Sequence, residues 1–397
     1  MKSIVKISYV ITCILYLVRY IQNINLPFNS IFTLNLFIIM IYFIFDKKNI
    51  IYNKKISNMF IFMIILFGIY PLIFNDGSLI QEIFSNTIRM LIFMFNIYFT
   101  AMFIYINKEK AFFIKSTYII LTIFLISIYI MNFDNFEGIL NIKNVFSYEL
   151  RYRNAFGLYH PNATGSLCMA TIILSIYLLK LNRLKRIILI IFSDIIILLI
   201  LISTSSRNSI TCLAVFFVVA IFLLFYNKFF TKFNEIYLNK SFKVGFYVIL
   251  IICLIIALNI IDINELLYNS NRMSNFIVNI PAVFENEKEL FGLGYIQPGF
   301  FNTSRYIFNT TFVDNWYLYT FVSLGIIGFI FSMILLIYLI ISIIFDKKHD
   351  LAEKVIVTSI LATNLYHSIF ETAFLYPQFF FSYISWIIYF LFIYDKS

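Results

Sequence analysis

Charge is scarce in this chain. Asp, Glu, Lys and Arg together make up 13% of the 397 residues, and 61% are hydrophobic. A soluble globular protein carries nearer 25% charged residues, so a water-soluble fold is excluded. Eleven Gly and six Pro leave no room for a flexible linker domain. The four cysteines, Cys13, Cys168, Cys212 and Cys253, lie inside apolar runs and form no CxxC pair. That argues against structural disulfides and thiolate metal sites. With three His and no HExxH, no metal site is expected. There is no GxxxxGK[ST], and no GxGxxG opens a helix after a strand, so neither a nucleotide nor any other cofactor is expected. No internal repeat and no cleavable signal peptide are expected; Ile7–Tyr20 reads as the first span.

What is present is long apolar segments. A span needs roughly 20 apolar residues. Twelve segments qualify: 5–22, 30–45, 58–74, 83–106, 112–131, 162–180, 187–203, 209–226, 244–261, 316–345, 354–371 and 378–394. The expected fold is all-α: a polytopic membrane helix bundle of about twelve transmembrane helices, with residues 1–397 as a single integral membrane domain.

The basic residues orient it. Twenty-one of the 30 Lys and Arg fall in the loops of one face. By the positive-inside rule that face is cytoplasmic and holds both termini. The net charge of +10 is then mostly a topogenic signal and requires no nucleic acid. Residues 132–161 and 262–315 become extracytoplasmic loops. The larger loop is expected to contain an amphipathic helix, with apolar Leu266, Leu267, Phe276, Ile277 and Ile280 within 265–284, lying along the outer surface. Of the nine remaining basic residues seven are Arg, against two of the 21 on the inner face. Arg offers a planar fork of donors that grips phosphate bidentately and never deprotonates. Pairing with external carboxylates explains a single arginine as well; the set points to an anionic ligand.

Three constellations carry this chemistry. The first is RYRNAFGLYHPN, Arg151 to Asn162, entering the sixth span. Arg151, Arg153 and His160 read as ligand-binding groups. Equally, Pro161 with Asn162 or Thr164 reads as a helix start and cap. The second is STSSRNS, Ser203 to Ser209, between the seventh and eighth spans. Turn chemistry explains its Ser and Asn. Arg207 is either a snorkelling side chain or part of a phosphate cradle. The third combines Arg272, the FGLGY stretch from Phe291 to Tyr295, and Asp314-Asn315-Trp316. Gly292 and Gly294 permit a turn or close approach to a ligand. Asp314 either caps the tenth span or serves as a general base. Inside the spans, Arg89, Asp194, His367 and Glu371 are ionisable, and such groups rarely face lipid.

Taken together, these stretches resemble the Wzy-type polysaccharide polymerases and the related O-antigen ligases. The resemblance runs through RYRNAFGLYHPN, STSSRNS, the loop arginine Arg272, FGLGY and DNWYL ahead of a Gly-containing span, SLGIIG. It covers residues 145–330. It implies a metal-independent, inverting membrane glycosyltransferase of the bacterial plasma (inner) membrane. Such an enzyme passes a glycan from undecaprenyl pyrophosphate to a sugar hydroxyl of a lipid-linked repeat unit at the extracytoplasmic face.

The resemblance implies that Arg207 and Arg272 hold the pyrophosphate. Arg151, Arg153, Arg305, Asn162 and Asn315 then contact phosphate or sugar, and Asp314 or His160 serves the acceptor hydroxyl. The expected partners are the undecaprenyl-pyrophosphate-linked oligosaccharide and membrane lipids, with a flippase and a chain-length regulator as protein candidates. The ligases carry His where this chain has Asp314, a departure that favours polymerase over ligase. A lipid-linked oligosaccharide flippase is the alternative from another class. Capsule, exopolysaccharide and O-antigen all remain open as products.

Overall fold

The computed structural model describes residues 1–24, 26–45, 54–74, 80–132, 153–181, 184–232, 272–295, 313–346, 348–377 and 379–394, with backbone alone at 28–29, 181, 184–186, 227–232 and 272–274. Every regular element described is a helix. In chain order they are α1 (Lys2–Val18), α2 (Phe28–Phe45), α3 (Lys54–Ile64), α4 (Tyr70–Ile73), α5 (Ile80–Ile106), α6 (Lys110–Met131), α7 (Pro161–Leu181), α8 (Leu184–Ser203), α9 (Arg207–Lys232), α10 (Arg272–Glu285), α11 (Trp316–Ile344), α12 (Leu351–Phe370) and α13 (Phe380–Tyr394).

Eleven of the twelve apolar segments fall on these helices; the ninth, 244–261, lies outside the described residues. Among the described residues six helices are long and apolar enough to cross a membrane: Lys54–Ile73, Ile80–Ile106, Lys110–Met131, Pro161–Lys180, Arg207–Tyr226 and Trp316–Ile344. The first of these joins α3 to α4 through a π-helical turn, Ile65–Ile69. Pro71 explains the turn. It lacks an N–H, and its ring would strike the carbonyl four residues back, so the helix widens to admit it.

Burial follows the logic of lipid. Ile188, Leu189, Phe192 and Ile195 on α8 are exposed, as are Ile221 and Phe225 on α9. Polar side chains turn inward, where a partner can satisfy them. Asn96 of α5 shows this: its Oδ1 accepts from Asn35 Nδ2 at 3.1 Å, from Thr100 Oγ1 at 3.3 Å and from the Tyr383 hydroxyl at 2.9 Å, while its Nδ2 donates to the Phe32 carbonyl at 2.9 Å. Ser8 completes the knot by donating to Asn35 at 2.8 Å, so α1, α2, α5 and α13 are tied at one level. Helix α7 is deeply enclosed, with Thr164, Thr171 and Ser175 wholly buried. A Cβ at Gly165 would sit 2.6 Å from that of Ser206, so glycine lets the start of α9 close on α7.

The two ends of the bundle are chemically distinct. At one, lysines are gathered by carboxylates. Lys6 meets Glu109 at 2.5 Å, Lys110 pairs with Glu353, and Lys180 reaches Asp350 at 2.7 Å. The Tyr177 hydroxyl donates to Glu353 at 2.7 Å. The Lys180 hydrogen bond holds the Asp350 carboxyl below its usual range. The opposite end collects the start of α7, the start of α9, the start of α11 and the end of α12, and carries the candidate site.

Candidate functional site

The site begins with the turn that leads into α7. Residues 153–159 dock on the end of α1: Gln22 N donates to the Gly157 carbonyl at 2.9 Å and Tyr159 N to the Tyr20 carbonyl at 3.0 Å. Ile21 and Leu158 form an antiparallel bridge between them. The Tyr20 and Tyr159 rings stack at 5.5 Å. The other side of this turn reaches the second motif, where Asn154 N donates to the Ser203 carbonyl at 3.4 Å.

His160 precedes Pro161, the first residue of α7. Its carbonyl accepts from Ala163 N, and its ring Nδ1 accepts from Asn162 N at 3.1 Å. The ring therefore serves as the cap expected of Asn162 or Thr164, while Thr164 turns back to the Ala155 carbonyl at 2.9 Å. An imidazole whose Nδ1 accepts a hydrogen bond carries its proton on Nε2. In His160 the capping Nδ1 is therefore the acceptor and Nε2 the donor.

With its cap duty taken by His160, Asn162 becomes the hub. Its Oδ1 accepts from Arg153 Nη2 at 2.6 Å and from Ser206 Oγ at 3.3 Å. Its Nδ2 donates to Glu371 Oε1 at 2.8 Å, at the end of α12. One amide thus joins the first motif, the second motif and a carboxylate 209 residues away. Sequence reasoning noted Glu371 as an ionisable group at a span end but did not connect it to Asn162. No local spacing encodes that pair.

The hydroxyls of the second motif are largely spent on their own turn. Ser203 Oγ donates to the Leu199 carbonyl at 2.9 Å and Thr204 Oγ1 to the Leu201 carbonyl at 2.6 Å. Thr204 Oγ1 also accepts from Ser206 N at 3.2 Å, and Ser206 Oγ lies 3.0 Å from Ser209 Oγ. All four residues from Ser203 to Ser206 are buried. They build the turn, and Arg207 is the half-buried group it delivers at the head of α9.

The third motif divides between two jobs. Asn315, not Asp314, caps α11: its Oδ1 accepts from Leu318 N at 2.9 Å. Its Nδ2 donates to the Ile369 carbonyl at 2.8 Å, two residues before Glu371. The end of α12 is therefore held by Asn162 on one side and Asn315 on the other. Asp314, half-buried, lies just outside the helix, so of its two expected roles the cap falls to its neighbour.

FGLGY does not wait for a ligand. It fills a break in α11. Gly325 has φ +66° and ψ −172° inside that helix, a conformation essentially restricted to glycine. The break frees backbone groups that lipid cannot satisfy. Residues 289–294 satisfy them. Leu293 N donates to the Val322 carbonyl at 2.8 Å and Gly294 N to that of Ser323 at 3.0 Å. In return Ile326 N donates to the Glu289 carbonyl at 2.8 Å and Ile327 N to that of Leu290 at 3.2 Å. A Cβ on Gly292 would lie 2.5 Å from the Gly325 nitrogen, so the approach depends on glycine.

Helix α10 leads into this clasp, and its buried face mixes Asn275 and Asn279 with Ala282 and Val283. Ile277 and Phe284 are exposed. Arg272 is its first residue. The side chain of Arg272, and Arg151, Arg305, Leu266 and Leu267 altogether, lie outside the described residues. The structure therefore brings together Arg153, His160, Asn162, Ser206, Glu371 and Asn315, with Arg207 beside Ser206 in sequence.

No family model matches this chain, and the search of curated proteins returned no match.

Proposed function

We propose that this protein is a polysaccharide polymerase that transfers an undecaprenyl-pyrophosphate-linked glycan to a lipid-linked repeat unit. In this reading both termini are cytoplasmic and the end of the bundle bearing Asn162 faces outward. One observation carries it. Asn162 ties the RYRNAFGLYHPN and STSSRNS motifs to Glu371, and Asn315 of DNWYL grips the same helix end at Ile369. Stretches far apart in sequence meet at one mouth, rich in guanidinium and amide donors.

The chemistry asks mainly for position and charge. The acceptor hydroxyl oxygen attacks the anomeric carbon from the face opposite the diphosphate. The bond from that carbon to the phosphate oxygen breaks, and its electron pair leaves with the diphosphate. Arg207 and Arg272 neutralise that leaving group, while Arg151, Arg153 and Arg305 serve phosphate or sugar binding. Asp314 takes the hydroxyl proton, and the His160 Nε2–H and the Asn162 and Asn315 amides orient the sugar.

The test uses purified protein in nanodiscs supplied with lipid-linked repeat units alone. A ladder of products is expected from the wild type, and at least a hundredfold slower ladder from R207A and from R272A, the scale typical of losing a positioned transition-state donor. A single transfer with no ladder would favour the ligase reading. Movement of the lipid across the bilayer without any new glycosidic bond would favour a flippase.

A further inference from the structure

Tyr159 holds an aromatic ring in the open at the mouth. It is 53% exposed, whereas Leu158 before it is 1% exposed. That alternation is the habit of extended chain, whose successive side chains point to opposite sides. Leu158 turns inward at its bridge with Ile21, and Pro161 keeps His160 out of the helical region, so Tyr159 is left facing outward.

The ring is also held in place. It stacks on Tyr20 at 5.5 Å, within 11° of parallel. Tyr159 N donates to the Tyr20 carbonyl at 3.0 Å, and the Tyr20 hydroxyl accepts from Phe380 N at 3.0 Å. One face of the Tyr159 ring is therefore covered by Tyr20, and the exposed area belongs to the rest of it. Desolvation first, then the neighbouring Tyr20 and Glu371, push the Tyr159 hydroxyl well above its usual pKa. A ring that is exposed and yet desolvated lies in a recess. A tyrosine of a lipid interface would sit among apolar side chains; beside this one in sequence are the exposed Arg153 and His160 and the amide of Asn162.

Across Asn162 stands Glu371. Of residues 371–376 it alone is not buried. Three bonds fix it: Asn162 Nδ2 donates to Oε1 at 2.8 Å, its own N donates to the His367 carbonyl at 3.0 Å, and its carbonyl accepts from Ala373 N at 2.8 Å. A carboxylate offers about four acceptor positions and no donor, so it takes hydroxyl donors beside the Asn162 amide. The other end of that amide accepts from Arg153 Nη2 at 2.6 Å. An acceptor and a donor thus flank Asn162, next to an aromatic face. Adjacent hydroxyls of a sugar ring match that pair, one donating to Glu371 and one accepting from Arg153, while the C–H face of the sugar covers the tyrosine. Glu371 repels a phosphate or a sugar acid, and a purely apolar ligand would leave the carboxylate unanswered.

We propose that Tyr159 and Glu371 form a subsite for a neutral pyranose, its ring stacked on Tyr159 and a hydroxyl bonded to Glu371. Resting on the polymerase reading, that pyranose belongs to the repeat unit. The negative charge of Glu371 keeps the diphosphate away from this side of the mouth, so sugar and leaving group are sorted by charge.

The experiment is saturation-transfer NMR on the full-length protein in nanodiscs. The probes are the methyl pyranosides of glucose, galactose, mannose and N-acetylglucosamine, with methyl glucuronide and cyclohexylmethanol as separate arms. At least one neutral pyranoside should bind, with transfer strongest at the C–H protons of one ring face. Glucuronide should bind more weakly than that sugar, and cyclohexylmethanol should not compete with it. Y159A should weaken binding about tenfold, the scale of one aromatic contact, and Y159F should restore most of the loss. E371Q should weaken it roughly tenfold or more, as for a hydrogen bond to a charged group, and should narrow the gap between neutral and acidic sugars. In the polymerisation assay Y159A should raise the KM for the repeat unit and change kcat less. Binding of no neutral pyranoside would overturn the proposal, as would equal binding in the wild type, Y159A and E371Q, or displacement by cyclohexylmethanol. Sugar binding that depends on Tyr159 and Glu371 in a protein that makes no ladder would refute the polymerase reading and leave the subsite standing. A normal ladder with unaltered KM in both Y159A and E371Q would do the reverse.

Discussion

At the scale of single residues the informative side chain is Asn162. It is the only group in the mouth that both accepts from an arginine and donates to a carboxylate among the described residues. An amide can do both; a carboxylate cannot. Asn162→Asp keeps the Arg153 contact but sets a second negative charge 2.8 Å from Glu371, and like charges that close are strongly unfavourable. Asn162→Ala merely removes the bonds. A hydrogen bond to a charged group contributes about 1.5–3 kcal/mol, so N162A should slow polymerisation roughly ten- to a hundredfold. N162D should be slower still at neutral pH and should recover toward the N162A rate as acidification protonates one carboxylate. Equal rates for the two variants across pH would show that the Glu371 contact is idle. That His160 and Asn315 stand at the starts of spans was legible, since each directly precedes an apolar segment. Which residue caps which helix was not, because His, Asn and Asp at adjacent positions are all competent and only the chain's path selects among them.

At the scale of elements the break in α11 decides how residues 289–294 are anchored. Gly292 and Gly325 touch backbone to backbone, each at positive φ. An alanine at Gly325 would put its Cβ 2.4 Å from the Leu290 carbonyl group and impose a conformation only glycine holds comfortably. Strained backbone and overpacking each cost about 1–3 kcal/mol. G325A and G292A should each lower stability by about 2–5 kcal/mol, read as a fall in thermal midpoint in detergent. Because both remove one shared contact, the double variant should cost less than the sum. Full additivity would mean that the clasp does not act as one unit. The sequence showed the glycines but not their partner, since a GxG suits a turn, a ligand or a close backbone equally. Helix α10 was legible as a helix; that Asn275 and Asn279 share its buried face with Ala282 and Val283 was not.

At the scale of the whole molecule, two opposed ends organise the chain. The Lys–carboxylate cluster around Glu353 marks one, and the Arg–amide mouth around Asn162 the other. If the lysine end is cytoplasmic, as proposed, a cysteine placed at Lys288 should react with a membrane-impermeant maleimide on intact cells. One placed at Lys348 should react only after permeabilisation. The reverse labelling pattern would invert the bundle and put the mouth inside.

An all-helical class was legible in composition alone, and eleven of the twelve apolar segments coincide with described helices. The reason is local: in lipid each backbone must satisfy itself, so composition over about 20 residues suffices to specify a helix. Which side chains meet was decided only by the tertiary structure. Asn162 and Glu371, or Asn96 and Tyr383, are joined by packing between helices distant along the chain. Packing of that kind leaves no periodic trace in the order of residues.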